Sequence, residues 1–295
     1  MIEWILADAS FQGAVRFATV CSVSEGLANE QSFESTAFST FTEAILHYAA
    51  LNRIDPRRAG CVLAVPGPVF PGTISIARSR WTLSRDGVAQ LFGGNAFMLN
   101  DVMAVAWSLL APRANLIEPL IGATPRPADA GRRVVILLDD GVGAAVIASQ
   151  DGNVGVEPSE PGHCGFAPRT AQEAALFDAL RSRRLHVSWE QALCDPSISE
   201  TEAWAAMAGE FVGDALLAAA AWSGAILTGK QALRLLAPEA KAAFSARLAT
   251  KSRYARQVGA APMGLVRQRD PLAGCLEFIR RRTNQAAERP TLAAA

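Results

Sequence analysis

The sequence predicts a duplicated α/β fold in which two halves flank a ligand cleft, and three observations carry that prediction. Residues 4–8 and 14–20 are short β-rich runs joined by Ala9-Ser10-Phe11-Gln12-Gly13, which reads as a hairpin beginning at Asp8. The same pattern restarts with Val134 to Asp139, the turn Asp140-Gly141-Val142-Gly143 and Ala144 to Ser149, followed by a turn at Asp151-Gly152 into a third strand. At 295 residues, half of them hydrophobic, the chain is long enough for two ordinary domains or one large α/β unit with a cleft.

The other elements follow from local signals. Thr40 and Glu43 form a capping box ahead of an apolar helix face of Ile45, Leu46 and Ala49. Residues 61–66 read as a buried strand, and 96–99 as another that runs directly into a helix over 102–110. Residues 119–131 are a Pro/Gly-rich connection. Thr170 with Glu173, Ser188 with Gln191 and Ser199 with Glu202 cap three further helices, the last long and Ala-rich. Residues 225–228 form a strand ending at Gly229-Lys230, and the Ala-rich tail beyond Gln285 is expected to fray.

Composition narrows the functions. Lys plus Arg equal Asp plus Glu at 28 each, so no global field favours nucleic acid or an anionic membrane surface. A small molecule or another protein is the expected partner. The five cysteines are scattered without a CxxC pair and the three histidines do not cluster with them, which predicts reduced thiols and no Cys/His metal cage. The start of the chain carries no basic leader and reads as a strand, and the longest apolar run, residues 215–227, falls short of the roughly 20 residues of a spanning helix. It reads as a buried core helix of a cytoplasmic protein.

Three motifs in order carry a resemblance: Leu99-Asn100-Asp101-Val102-Met103-Ala104, then Glu160-Pro161-Gly162-His163-Cys164-Gly165-Phe166-Ala167-Pro168, then His186-Val187-Ser188-Trp189-Glu190. In order and approximate spacing they resemble the bacterial glucokinases. Further similarity runs through Arg78-Ser79-Arg80-Trp81, residues 224–229, Lys251-Ser252-Arg253-Tyr254 and Asp270-Pro271-Leu272-Ala273-Gly274, and so spans nearly the whole chain. The resemblance implies the actin-like, ribonuclease H-like sugar-kinase fold, here divided into a small domain (1–110 plus 278–295) and a large one (111–277). Dimers are common in that family, so a homodimer is an assembly it allows.

The resemblance also implies that Asn100, Asp101, Glu160, His163 and Glu190 bind the hydroxyls of a hexose such as glucose, with Asp101 accepting the proton of the attacking hydroxyl. Carboxylates and amides suit a ring of donor-acceptor hydroxyls. Four of the five also have a plain structural role open to them. Asn100 and Asp101 suit a helix N-cap, Glu190 suits the first turn of a helix, and His163 suits a loop that bonds backbone.

For the Mg-ATP that the family uses, the implied residues are Asp8, Ser10, Gln12, Asp140, Gly141, Gly143 and Gly229, with Asp8 on the metal side. Both phosphate loops depart from the family pattern. Asp8-Ala9-Ser10-Phe11-Gln12 stands where the family has Asp-x-Gly-Gly-Thr, Asp140 replaces a threonine, and Gly229-Lys230 replaces Gly-Gly. A carboxylate facing a polyphosphate is repelled unless a cation lies between them. The expected function is transfer of the ATP γ-phosphoryl group to the 6-hydroxyl of a hexose. The alternatives are a hexose-binding pseudokinase that senses sugar with weak or no ATP binding, and an assembly subunit that uses the fold alone.

Overall fold

In a computed structural model the described residues are 4–10, 13–22, 26–76, 80–111 and 117–288, and the chain divides into two units, Met1–Ala114 with Asp270–Ala295, and Asn115–Arg269. Gln12, the Arg78-Ser79 part of one motif and the end of the Ala-rich tail lie outside the described residues.

The first unit runs β1 (Trp4–Asp8), β2 (Ala14–Val20), β3 (Ala28–Glu34), α1 (Phe41–Leu51), β4 (Gly60–Val65), β5 (Thr73–Ser75), β6 (Thr82–Ser84), α2 (Arg85–Leu91), β7 (Ala96–Asn100) and α3 (Asp101–Ser108). Its main sheet has the order β3-β2-β1-β4-β7. β1 pairs antiparallel with β2 and parallel with β4, and β4 pairs parallel with β7. Phe17, Phe41, Tyr48, Leu63 and Trp81 fill the core on one face, with Phe17 stacked on Tyr48 at 5.0 Å.

The second unit runs β8 (Glu118–Ile121), β9 (Gly131–Leu138), β10 (Val142–Gln150), β11 (Asn153–Ser159), α4 (Ala171–Arg181), α5 (Trp189–Leu193), α6 (Thr201–Ala219), β12 (Ala225–Thr228), α7 (Pro238–Leu248), α8 (Ala255–Ala260) and β13 (Met263–Val266). Its sheet order, β11-β10-β9-β12-β13-β8, repeats that of the first unit with one antiparallel strand added at the edge. The duplicated α/β architecture is therefore present in the strand pairing itself. The chain returns to the first unit through α9 (Pro271–Glu288), which lies against α3. A Cβ on Gly274 would collide with the Ala104 carbonyl, so the two helices approach backbone to backbone only because that residue is glycine.

Several expectations need correction. The return to the first unit begins at Asp270 rather than at 278, because α9 is one unbroken helix whose first turn already packs there. Residues 215–227 are not a helix: α6 stops at Ala219, Ala220 takes a left-handed φ of 48°, and the chain re-enters the sheet as β12. The run is apolar because a buried helix end and a doubly covered strand both need apolar residues. Residues 119–131 contain most of β8, which an edge position allows despite Pro119.

The cap of α6 is Glu200 without a side-chain bond, not Ser199. The Thr40 hydroxyl does accept from Glu43 N, but Glu43 reaches back to Ser39 N instead of the cap residue. Leu46 is exposed, since the inward stripe of α1 is Phe41, Ala44, Ile45, Tyr48 and Ala49. Among the described residues no helix is long and apolar enough to cross a membrane.

A buried ionic network binds the helical layer of the second unit. Lys251 donates to Glu210 Oε1 and Asp214 Oδ1, both at 2.6 Å, while Arg247 bonds Glu173 at 3.0 Å and Arg169 bonds Glu210 at 3.3 Å. Lys251, Glu210 and Glu173 are all less than a tenth exposed. Removing one member of such a set strands a buried charge at a cost of about 3–5 kcal/mol. Lys251→Met is therefore expected to lower the urea midpoint markedly. Arg267→Ala, which breaks the exposed pair with Glu118, should leave that midpoint within error of wild type.

Candidate active site

In the first unit the candidate residues sit at the C-terminal ends of parallel strands. Asp8 ends β1 and is fully buried, paired in register with Arg16 of β2. Its Oδ1 accepts from Ser10 N at 3.0 Å and from Ser10 Oγ at 2.6 Å, and Arg16 Nη1 lies 4.0 Å from Oδ2. Ser10 thus closes an Asx-type turn on the carboxylate. Asn100 ends β7, two strands from β1 along the same sheet edge, roughly 10 Å by strand spacing.

The Asn100–Asp101 pair divides its work. Asn100 is the N-cap of α3, its Oδ1 accepting from Val102 N at 2.9 Å and Met103 N at 3.1 Å while its Nδ2 donates to the Gly67 carbonyl at 3.0 Å. The amide side chain therefore fixes the strand-to-helix junction. Asp101 follows as the first helical residue, 8% exposed, with Oδ1 accepting from Val102 N at 2.9 Å. An anion in that first turn is favoured by the exposed N–H groups of the helix.

In the second unit two loops are zipped together by backbone bonds. Phe166 N donates to the Val187 carbonyl at 2.9 Å and Trp189 N to the Cys164 carbonyl at 3.0 Å. Trp189 is buried against Phe166 and Phe211. The zipper brings Glu160 and His163, around a one-turn helical segment, to Glu190 in the first turn of α5, whose capping box of Ser188 and Gln191 is complete. His163 Nε2 is 3.8 Å from Glu160 Oε2, and His186 Nε2 is 2.9 Å from the His163 carbonyl. Glu160 has its pKa raised, first by burial and then by the nearby Glu190, with His163 opposing.

Glu190 also reaches the β9–β10 turn, where its Oε2 accepts from Val142 N at 2.9 Å. A Cβ on Gly141 would lie 3.1 Å from that oxygen, so glycine leaves the carboxylate its room. Gly143 lies within β10 opposite Leu137. Gly229, with φ 99°, follows β12 so closely that a Cβ would strike the Leu138 carbonyl. Beside it, Lys230 forms an ion pair with Asp140 and stands 3.9 Å from Asp139, which is itself paired to Arg269 at 3.1 Å.

Two of the three departures from the family's nucleotide-site pattern, Asp140 and Lys230, are thus partners of each other. Lys230 enters that reading only as an altered glycine, and Arg16, His186 and Arg269 have no assigned role in it. The Arg16 contact has a partial signal in the sequence, because Asp8 and Arg16 flank the same hairpin turn, but the register that pairs them comes from the sheet. Arg269 has none, lying far along the chain from Asp139. Among the described residues no three His, Cys, Asp or Glu side chains form a metal-holding group.

The glucokinase family model matches residues 13–201. The chain belongs to the glucokinase family. A glucokinase of Mesorhizobium japonicum is 32% identical over 180 residues, 61% of this chain and 52% of that protein, so the chain spans about half the length of that curated relative. A crystal structure of glucokinase from an Antarctic psychrotroph superimposes with a TM-score of 0.72 at 23% identity, covering 94% of this chain and 98% of the other. The glucokinase of Balamuthia mandrillaris, solved in complex with glucose, has a TM-score of 0.72 at 13% identity, covering 95% and 94%. These structures share the fold of this glucokinase-family chain.

The raised pKa of Glu160 sets a pH dependence. The folded state binds that proton more tightly than the unfolded chain does, so this carboxyl favours folding below its ordinary value of 4.5 and opposes it as pH rises. Glu160→Gln is expected to unfold at a higher temperature than wild type at pH 7–8, the difference closing near pH 4. Thermal melts across that range check it.

Proposed function

We propose that this chain is a hexose kinase that transfers the γ-phosphoryl group of ATP to the 6-hydroxyl of glucose or a closely related hexose. The observation that carries the reading is Asp101, a nearly buried carboxylate held in the first turn of α3 by a neighbour whose amide fixes the junction. Membership of the glucokinase family and the glucose complex of a fold relative support the substrate class.

In this reading Glu160, His163, Glu190 and Asn100 orient the sugar hydroxyls, and Asp101 accepts the proton of the 6-hydroxyl as its oxygen bonds phosphorus. The bond from phosphorus to the ADP oxygen breaks and its electron pair leaves with ADP. Positioning is the larger part of that work, because the transition state of phosphoryl transfer is loose.

The residues fit a magnesium-bound triphosphate. Each unit supports this by itself: in the first, Asp8 lies buried at a strand end with one oxygen organised by Ser10, and in the second, the β9–β10 turn carries two carboxylates balanced by two cations. Mg-ATP, when bound, supplies the transferred group and the cation that offsets its charge. Asp8 and Ser10, with Asp140, Gly141, Gly143 and Gly229, are the residues that would hold it; Gln12 is assigned with them on the sequence alone. A homodimer in the cytoplasm is the setting that fits the family.

Asp101→Asn is expected to reduce kcat by about 10²–10⁴-fold, the range for losing a general base, while the KM for glucose changes much less. A coupled assay with several hexoses measures it. Wild-type turnover no greater than that of Asp101→Asn would sink the reading. A thermal-shift plate adds the binding side: glucose should raise the melting temperature, and glucose with Mg-ATP should raise it further. Stabilisation by glucose with no response to Mg-ATP would instead identify a sugar-binding protein without transfer.

A further inference from the structure

We infer that the Lys230–Asp140 ion pair is an exchangeable latch, opened by a ligand that brings an anion and a cation together, so that Lys230 binds phosphate oxygens while Asp140 faces the metal. The inference rests on the phosphoryl-donor reading above and assigns to these two residues a role that neither position has in the family pattern.

The argument starts from where the pair stands. β9, β12 and β13 are parallel, and the turn after β9 and the turn after β12 meet at their C-terminal edge, where open α/β sheets bind ligands. Gly229 brings the second turn against Leu138, and Gln231 N donates to the Leu138 carbonyl at 3.0 Å, so backbone geometry delivers Lys230 to Asp140. Glu190 accepts from Val142 N of the same turn, which ties one of the assigned sugar carboxylates to it.

Besides the longer 3.9 Å approach of Lys230 to Asp139, two close ion pairs stand at this edge, and they differ in a way that decides which one moves. Arg269 and Asp139 are 14% and 20% exposed, and that pair holds a fixed guanidinium on a fixed carboxylate. Lys230 and Asp140 are 54% and 39% exposed, and a pair so open to water contributes little to stability and exchanges readily. Lysine suits the mobile role, being a point charge on a flexible stem with three donors.

Charge then selects the ligand. Asp139, Asp140, Lys230 and Arg269 together carry no net charge, so a bare anion that drew Lys230 away would meet an excess of carboxylate, and a bare cation that captured Asp140 would meet an excess of cation. A metal-polyphosphate satisfies both halves of the opened pair at once. A threonine and a glycine at these positions would impose no such requirement.

Calorimetric titration of the full chain with Mg-ATP, and with ATP in EDTA, tests this in wild type, Lys230→Ala and Asp140→Asn. Wild type is expected to bind Mg-ATP at least about tenfold more tightly than metal-free ATP, the scale of one charged hydrogen bond. Lys230→Ala should weaken Mg-ATP by a similar factor. Asp140→Asn should bind metal-free ATP several-fold more tightly than wild type does, removing most of the preference for the metal complex.

Binding of both ligands by both variants within twofold of wild type overturns the latch while leaving the donor reading in place. Failure of the wild type to bind Mg-ATP at all overturns the donor reading and the latch with it. Unchanged glucose-induced thermal stabilisation in the two variants separates a local effect on the turn from misfolding.

Discussion

Parallel pairing of β1 with β4 and β4 with β7, and of β9 with β12 and β12 with β13, is the constraint on which the candidate site depends. Parallel strands must be joined by crossovers, so their C-terminal ends all fall on one edge of the sheet and residues distant in sequence become neighbours there. Asp8 and Asn100 reach the same edge this way in the first unit, and Asp139, Gly229 and Arg269 come together in the second. The antiparallel hairpin in each sheet adds a turn at the same edge, which is why each copy places an aspartate there.

At that edge almost every polar group also has a structural task. Asn100 caps a helix and holds the Gly67 loop, Ser10 fastens Asp8, and Glu190 anchors the β9–β10 turn. The plain reading of such residues as caps and turn formers and the functional one do not compete. A carboxylate or amide already fixed by backbone bonds is one whose position costs little further entropy when a ligand arrives. Asp101 gains most from this arrangement, since its neighbour restrains the junction on which it sits.

Scaffold rigidity comes from different physics in the two units. The first relies on an aromatic core around Phe17 and on glycine-mediated contact of α9 with α3. The second adds buried charges, with Glu210 met by Lys251, Arg169 and Arg247. Paired inside the helical layer, those charges specify which helix faces meet, because any slip would strand one of them away from water.

Local order was legible in the sequence wherever it rests on neighbours along the chain. The β1–β2 and β9–β10 hairpins, the Thr40, Thr170 and Ser188 caps, and the Asn100–Asp101 junction all follow from residues a few positions apart. Element boundaries failed where one apolar run served two elements, as across Ala219 to Ala225, or where an edge strand tolerated a proline. Long-range electrostatics lay beyond the sequence altogether. Asp140 and Lys230 look like separate losses when read singly, and only the parallel pairing of β9 with β12 makes them a pair. Composition and spacing determine which residues can carry charge and where the chain turns; which charges meet is decided by strand order, because Coulomb interactions depend on distance in space and the chain records only distance along itself.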